Sequence, residues 1–253
     1  MDNSASTDNN PNPGPAPQAR TVDAGRGLGW WTDAWALFMR SAAMWVVFGV
    51  ILLIGLIALG LVPVLGSLAS ALLFPVLIGG WMLAAQKLHD GGTLEVGDLF
   101  AGFQGERLTP LLVLGVLFVA AMLVIGVVAG ALGLGAVFGM VAGGMHQSAG
   151  SMVAGMGAAM AALLVALLLG SMATMALWFA PALVVFRKLP PVEAVKLSTT
   201  AVLKNAVPFL LYGLIYIVAS IVASIPLALG WLVLLPVSLL TAYVSYRDVF
   251  EAA

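Results

Sequence analysis

Long apolar stretches, broken at intervals by short charged segments, set the plan of this chain. Between Arg40 and Lys87 no residue carries a charge. That stretch is too long for one membrane crossing, which takes about 20 apolar residues, and suits two. Pro63 and Gly66 near its middle can turn a chain, so the pattern predicts two antiparallel spans over residues 43–62 and 64–86. Residues 108–186 are again free of charge. Their outer portions, near 111–132 and 160–186, read as spans three and four, with Pro181 kinking the end of the fourth. Pro208 opens a fifth span that ends near Leu229. Gly230 and Trp231 mark a turn, and the sixth span covers residues 232–246. Backbone polar groups in hydrocarbon must bond within their own segment, so these runs are helices. The fold class expected is all-α, a polytopic transmembrane bundle of six spans in three hairpins.

Each hairpin is preceded by an amphipathic stretch. In the first, Leu28, Trp31, Trp35, Phe38, Ala42 and Trp45 recur at helical spacing, with Thr32, Asp33, Ala36 and Arg40 off that stripe. Such a helix suits the membrane surface, with Trp30, Trp31, Trp35 and Trp45 anchored at headgroup depth; an aromatic cage for a cationic ligand is the alternative. In the second, Thr93 is placed to cap a short helix with apolar positions Val96, Leu99, Phe100 and Phe103, and with Asp98, Gln104, Glu106 and Arg107 on its wet side. In the third, Pro190 and Pro191 lead into a helix with Glu193, Lys196, Thr200 and Lys204 on one face and Val192, Val195 and Val202 on the other. The three units, residues 27–90, 91–189 and 190–248, share a plan of amphipathic lead-in, span, turn, span and basic exit. Trp45, Pro110 and Pro208 precede or open the first spans, and Pro75, Pro181 and Pro236 lie in the second. Residues 1–26 form a tail expected to be disordered, because Asn, Asp, Ser and alternating prolines cannot bury apolar surface. Residues 249–253 are a short C-terminal tail.

One region resists the pattern. Residues 126–157 are mostly Gly, Ala, Val and Met, with His146, Gln147 and Ser148 as a polar island. Gly135, Gly139 and Gly143 recur every fourth residue, a face that permits close helix contact. Either span three continues well past the bilayer edge or the segment is a loose outer loop, and periodicity does not choose.

Composition narrows the class. Hydrophobic residues make up 62% of the 253 and charged residues 8%, against roughly 25% charged in soluble domains. A net charge of −1 offers no bulk attraction for nucleic acid. There is no cysteine, which removes disulfides, thiolate metal sites and cysteine nucleophiles. Every Lys and Arg falls before span one, between spans two and three, between four and five, or after six. Under the positive-inside rule that puts both termini and both charged loops in the cytoplasm of a bacterial inner membrane, with Lys87, Arg187, Lys188, Lys204 and Arg247 as anchors at the interface.

Candidate chemistry is sparse. No span carries an ionisable group, which weighs against a carboxylate-based proton pump. Ser171, Thr174, Tyr212, Tyr216, Ser220, Ser224 and Thr241 could line a path for a solute, although membrane hydroxyls more often serve helix packing. His89 and Asp90 sit in a charged loop. No zinc-protease helix, serine elbow or phosphate loop is present, and Gly25, Gly27 and Gly29 lack the strand and acidic partner of a nucleotide-binding loop. Met145, Met152, Met156 and Met160 with His146 have the soft-ligand chemistry of a monovalent copper site; methionine as a flexible gap-filler beside flanking Gly and Ala is the stronger reading, since the repeated close Met pairs of such a site are lacking.

Gly29-Trp30-Trp31 with Trp35-Ala36-Leu37-Phe38, Phe74-Pro75 with Gly79-Gly80, and Asp98-Leu99-Phe100-Ala101-Gly102-Phe103 resemble uncharacterised six-span inner-membrane proteins of proteobacteria. Glu193-Ala194, Ser198, Leu203-Lys204-Asn205 and Pro208 are similar to the lead-in helices of the membrane domain attached to some glycerophosphodiester phosphodiesterases. The resemblance implies architecture and no activity, and the hydrolase barrel is absent from this chain. The function expected is a non-enzymatic structural or regulatory membrane component without cofactor, whose partners are the lipid bilayer and a cytoplasmic-side protein. The alternatives are a transporter or channel for a small neutral or lipidic solute and, more remotely, soft-metal binding.

Overall fold

The computed structural model describes residues 18–145 and 149–251. Nine α-helices follow one another among the described residues: α1 Arg26–Met39, α2 Ala42–Gly60, α3 Leu65–His89, α4 Leu108–Met145, α5 Ala149–Trp178, α6 Ala180–Arg187, α7 Pro191–Lys204, α8 Ala206–Ser224 and α9 Trp231–Phe250. A 3-10 helix, Val96–Phe103, lies between α3 and α4, and no strand occurs among the described residues. Six helical stretches are long and apolar enough to cross a membrane.

The two outer hairpins turn in the same way. After α2, Pro63 is followed by Val64 at φ 63°, a left-handed conformation that a β-branched residue rarely adopts. Gly66 then lies so close to α2 that a Cβ there would stand 1.7 Å from the Leu59 carbonyl oxygen. After α8, Pro226 is followed by Leu227 and Ala228 at φ 51° and 64°, and a Cβ on Gly230 would stand 2.5 Å from Ala223 Cα. In each case the glycine meets the residue seven positions earlier. Span five therefore ends at Ser224 rather than near Leu229, because Pro226 has no N–H to continue the helical ladder.

The middle hairpin is different. Apart from residues 146–148, which lie outside the described residues, the Gly/Ala/Met segment is helical on both sides of its tip, so span three continues instead of opening into a loop. No proline interrupts residues 111–180, and with no water to satisfy them the backbone groups of a Gly-rich run still need the helical ladder. The 38 residues of α4 span about 57 Å, where the hydrocarbon core measures about 30 Å. Its α5 partner breaks at Phe179, and Pro181 stands in the first turn of α6.

The core sits toward the charged end. Trp45, Phe48, Trp81, Met82, Leu111, Leu183, Leu240 and Tyr246 are fully or almost fully buried there. The 3-10 helix wedges into it. Cβ atoms built on Gly80 and Gly102 would stand 2.0 and 2.1 Å from the carbonyl oxygens of Leu99 and Val76. The two backbones thus approach as only glycine permits. The wedge is capped by Glu95 and not by Thr93: the Glu95 N–H donates to the Asp98 carboxylate at 2.7 Å. Lys87 donates to both Asp98 oxygens at 2.9 Å. Leu99 is fully buried, while Val96 and Phe100 stay exposed.

Candidate functional site: a charged cleft closed by the two ends of the chain

The lead-in helix α1 buries Gly27, Trp30, Ala34, Leu37 and Phe38, a face rotated by one residue from the aromatic stripe the spacing suggested. Both faces are apolar, since Leu28, Trp35 and Met39 are exposed, and packing against α8 and α9 selects the one with the small residues. A Cβ on Gly27 would stand 2.2 Å from the Pro208 carbonyl oxygen. Close approach of α1 to α8 thus requires glycine at position 27 and puts Trp30 against Phe209, ring centroids 5.0 Å apart.

The segment before α1 is part of the fold. The Arg20 N–H donates to Val249 O at 3.1 Å, and the Arg20 guanidinium donates to the Asp248 carbonyl. Buried Asn205, at the junction of α7 and α8, accepts the Val22 N–H at 2.8 Å and donates to Arg20 O at 3.0 Å. Residues 20–22 are therefore a strap joining α7, α8 and α9, where the composition had suggested a disordered tail. The proline-rich part, residues 1–17, lies outside the described residues.

Strap, α1 and the ends of α3 and α9 enclose a cleft of about 390 Å³ lined by Arg20, Arg26, Arg40 and Arg247, by Asp33, Asp248 and Glu251, and by His89 and Tyr243. Asp248 is its organising carboxylate. It accepts from the Arg26 guanidinium and, at 2.8 Å, from the indole N–H of Trp30. Arg26 also donates to Asp33 at 2.7 Å. Partial burial pulls the Arg26 guanidinium toward losing its proton, but its hydrogen bonds to Asp248 and Asp33 outweigh this and leave it above its usual value. Arg247 donates to Glu251 at 3.0 Å and meets His89 Nε2. The cleft's carboxylates are thus each bonded to an arginine.

The other predicted positions divide. Trp30 and Trp45 are fully buried; Trp45 packs with Trp81 at 5.1 Å and with Phe48 at 5.4 Å. They are core residues, not headgroup anchors, because helices stacked on both sides leave their rings no path to lipid. Trp31 is half-buried and stacked on Tyr212 at 5.2 Å. Trp35 alone of the four stays largely exposed. Lys87 is held by Asp98. Arg187 donates to the Phe250 carbonyl at 3.0 Å and to the Tyr246 hydroxyl at 3.3 Å. Lys188 ends α6 in the left-handed conformation, φ 52°, and Lys204 closes α7 on an exposed position. On α7 the buried face is Ala194, Ser198, Ala201 and Val202, with Val192 exposed.

Five of the seven hydroxyls that could have formed a solute path serve their own helices, while Tyr212 and Tyr216 stack with each other and with Trp31. Ser171, Thr174, Ser220, Ser224 and Thr241 each donate to a carbonyl three or four residues back. His146 lies outside the described residues, as do the side chains of Met145 and Met152, while Met156 and Met160 are exposed on α5. No group of three His, Asp or Glu able to hold a metal occurs among the described residues. Sequence reasoning named Ser198 and Asn205 only within a motif of resemblance and gave neither a structural role. Ser198 is a buried hydroxyl that accepts the Phe179 N–H at 3.0 Å and donates to Met175 O at 2.8 Å, bracing the α5–α6 break. A polar residue on the small-residue face of a lead-in helix was the available signal for both.

Six apolar helical stretches with charge gathered beside one end define a multi-pass integral membrane protein. The chain belongs to the family described as Domain of unknown function (DUF7847), which matches residues 25–249. It is 31% identical over 215 residues to a probable inner membrane protein of Burkholderia thailandensis, covering 82% of this chain and 78% of that protein. It is accordingly a multi-pass inner-membrane protein. Neither match speaks of glycerophosphodiester chemistry, and no solved structure matches the chain.

Proposed function

We propose that this protein is a non-enzymatic structural or regulatory component of the inner membrane, with both ends of the chain in the cytoplasm and the charged cleft offered to a protein partner there. The observation that carries the reading is the pairing of its ionisable groups. Asp33, Asp98, Asp248 and Glu251 are each bonded to Arg or Lys: the Asp248 and Asp98 pairs tie separate elements together, and the Asp33 and Glu251 pairs lie along α1 and at the end of α9, so the carboxylates of the cleft are engaged in structure. The clustering of basic residues at one end supports the cytoplasmic orientation of that end.

The natural chain has no cysteine, so single cysteines report orientation directly. In intact spheroplasts a membrane-impermeant maleimide is expected to label Leu61→Cys, which stands in the exposed α2–α3 turn. It is expected to reach Glu95→Cys only after the membrane is opened. The reverse pattern sinks the orientation. Cross-linking in cells from position 36, which lines the cleft, is expected to trap a protein partner that Arg40→Glu and Arg247→Glu release. Sustained turnover of a lipid or phosphodiester by the pure protein would overturn the non-enzymatic reading. Transport of a neutral or lipidic solute is the second reading, and it has less support because five of the seven candidate hydroxyls are bonded within their own helices.

A further inference from the structure

Helices α2, α3 and α9 part to leave an apolar groove of about 420 Å³. It follows α2 from Ile51 to Leu59 and α3 from Ser70 to Leu77, with Leu235 and Leu239 of α9 behind and Phe100 of the wedge at one end. Its only polar side chains are Ser70 and Ser238, and both hydroxyls donate at 2.8 Å to carbonyls of their own helices. No charged residue lines it. On the α2 wall, Gly55 has nothing within 4 Å of the position a Cβ would take, so the groove is open where a side chain would otherwise fill it. Ile54 and Phe74 at its margins are exposed, and in a span that means open to lipid.

The dimensions select the occupant. From Ile51 to Leu59 the groove runs about 12 Å at the helical rise, which leaves a mean cross-section of roughly 35 Å². A helix with its side chains is about 10–12 Å wide, so a partner's transmembrane helix can lay side chains over the groove but cannot enter it. A single extended hydrocarbon chain can. A free fatty acid would be favoured by a cation at the groove, and none lines it.

We propose that the groove between α2, α3 and α9 holds one acyl chain of a membrane phospholipid, with Phe100 closing one end. The inference concerns the spans alone and is independent of which end of the protein faces the cytoplasm.

The test uses the full chain in nanodiscs doped with a phosphatidylethanolamine carrying a diazirine along one acyl chain. After photolysis, labelling is mapped by peptide mass spectrometry. Per residue, labelling of groove positions is expected to exceed that of the exposed α8 face around Leu214 and Ile221 by about tenfold, the difference made by a 1.4 kcal/mol preference. Gly55→Phe is expected to abolish the excess and leave α8 labelling unchanged. Leu239→Trp supplies the same blockade from α9 should the first variant fail to elute as a folded monodisperse species. Unlabelled phospholipid is expected to compete, and oleic acid at the same mole fraction is not. Equal labelling of groove and α8 in the natural chain overturns the proposal, as does an excess that survives both fillers. Displacement by oleic acid as effective as by phospholipid overturns the assignment to a phospholipid.

Discussion

Asp248 offers the sharpest test of how the charged end is held together. Asp248→Ala removes the acceptor of a fully buried indole N–H and one of the two carboxylates on Arg26. Leaving a buried donor unsatisfied costs about 1–3 kcal/mol. The Arg26 pair is partly exposed on both sides, so solvent screening limits its share to about 1 kcal/mol or less. The expected loss is therefore about 1–4 kcal/mol, most of it from Trp30. Asp248→Asn keeps an oxygen that can accept from the indole and discards only the charge, so it should lose about 1 kcal/mol or less. For a chain of this size each kcal/mol moves Tm by about 2–4 °C. Thermal unfolding in mild detergent, followed by tryptophan emission, should thus separate the two variants clearly, with alanine the lower. If alanine and asparagine are equally destabilised, the charge and not the Trp30 hydrogen bond carries the site. If neither departs from the natural protein, Asp248 organises nothing.

Three other outcomes follow from the packing. Gly80→Ala and Gly102→Ala place a methyl against a backbone carbonyl and should each cost about 1–3 kcal/mol as the wedge is pushed aside, while Gly97→Ala, with open space around it, should be neutral; the comparison is read from Tm and detergent-soluble yield. Asn205→Ala removes the strap's side-chain anchor and should speed tryptic cleavage after Arg20 about tenfold or more, on the assumption that about 1.4 kcal/mol of local opening energy is lost. Equal cleavage rates would show that the hydrogen bonds of Arg20 to Val249 and Asp248 hold the strap without Asn205. Lys87→Met should lower stability by about 1 kcal/mol or less, because the Lys87–Asp98 pair is partly exposed. That loss should shrink in high salt, since the natural pair weakens there. It is measured by paired melts at low and high ionic strength.

The apolar runs announced the spans because hydrocarbon leaves the backbone no alternative to a helix; Pro63 located the first outer turn, whereas Gly230 marked only the far side of the last one, which begins earlier at Pro226. What the sequence concealed was direction around each helix. In a chain where most faces are apolar, hydrophobic spacing does not tell a core-facing residue from a lipid-facing one, and so Trp45 read as an anchor although it is sealed against Trp81. Packing small residues decided the matter: Gly27 on α1, Gly79 and Gly80 on α3, and Ala194 and Ala201 on α7 mark the faces that meet neighbours. The cleft was half legible. Its arginines were visible as basic flanks, but the meeting of Arg26 with Asp248 depends on contacts 222 residues apart, which no local pattern encodes.

The strap and α1 also impose an order in time. A ribosome delivers the amino-terminal end first, yet Arg20 and Val22 find their partners on Asn205 and Val249, 183 or more positions downstream, and Gly27 has no seat until Pro208 exists. Throughout synthesis the leading helix waits beside a half-built structure. The helix that seals α1 is α9, made long after it.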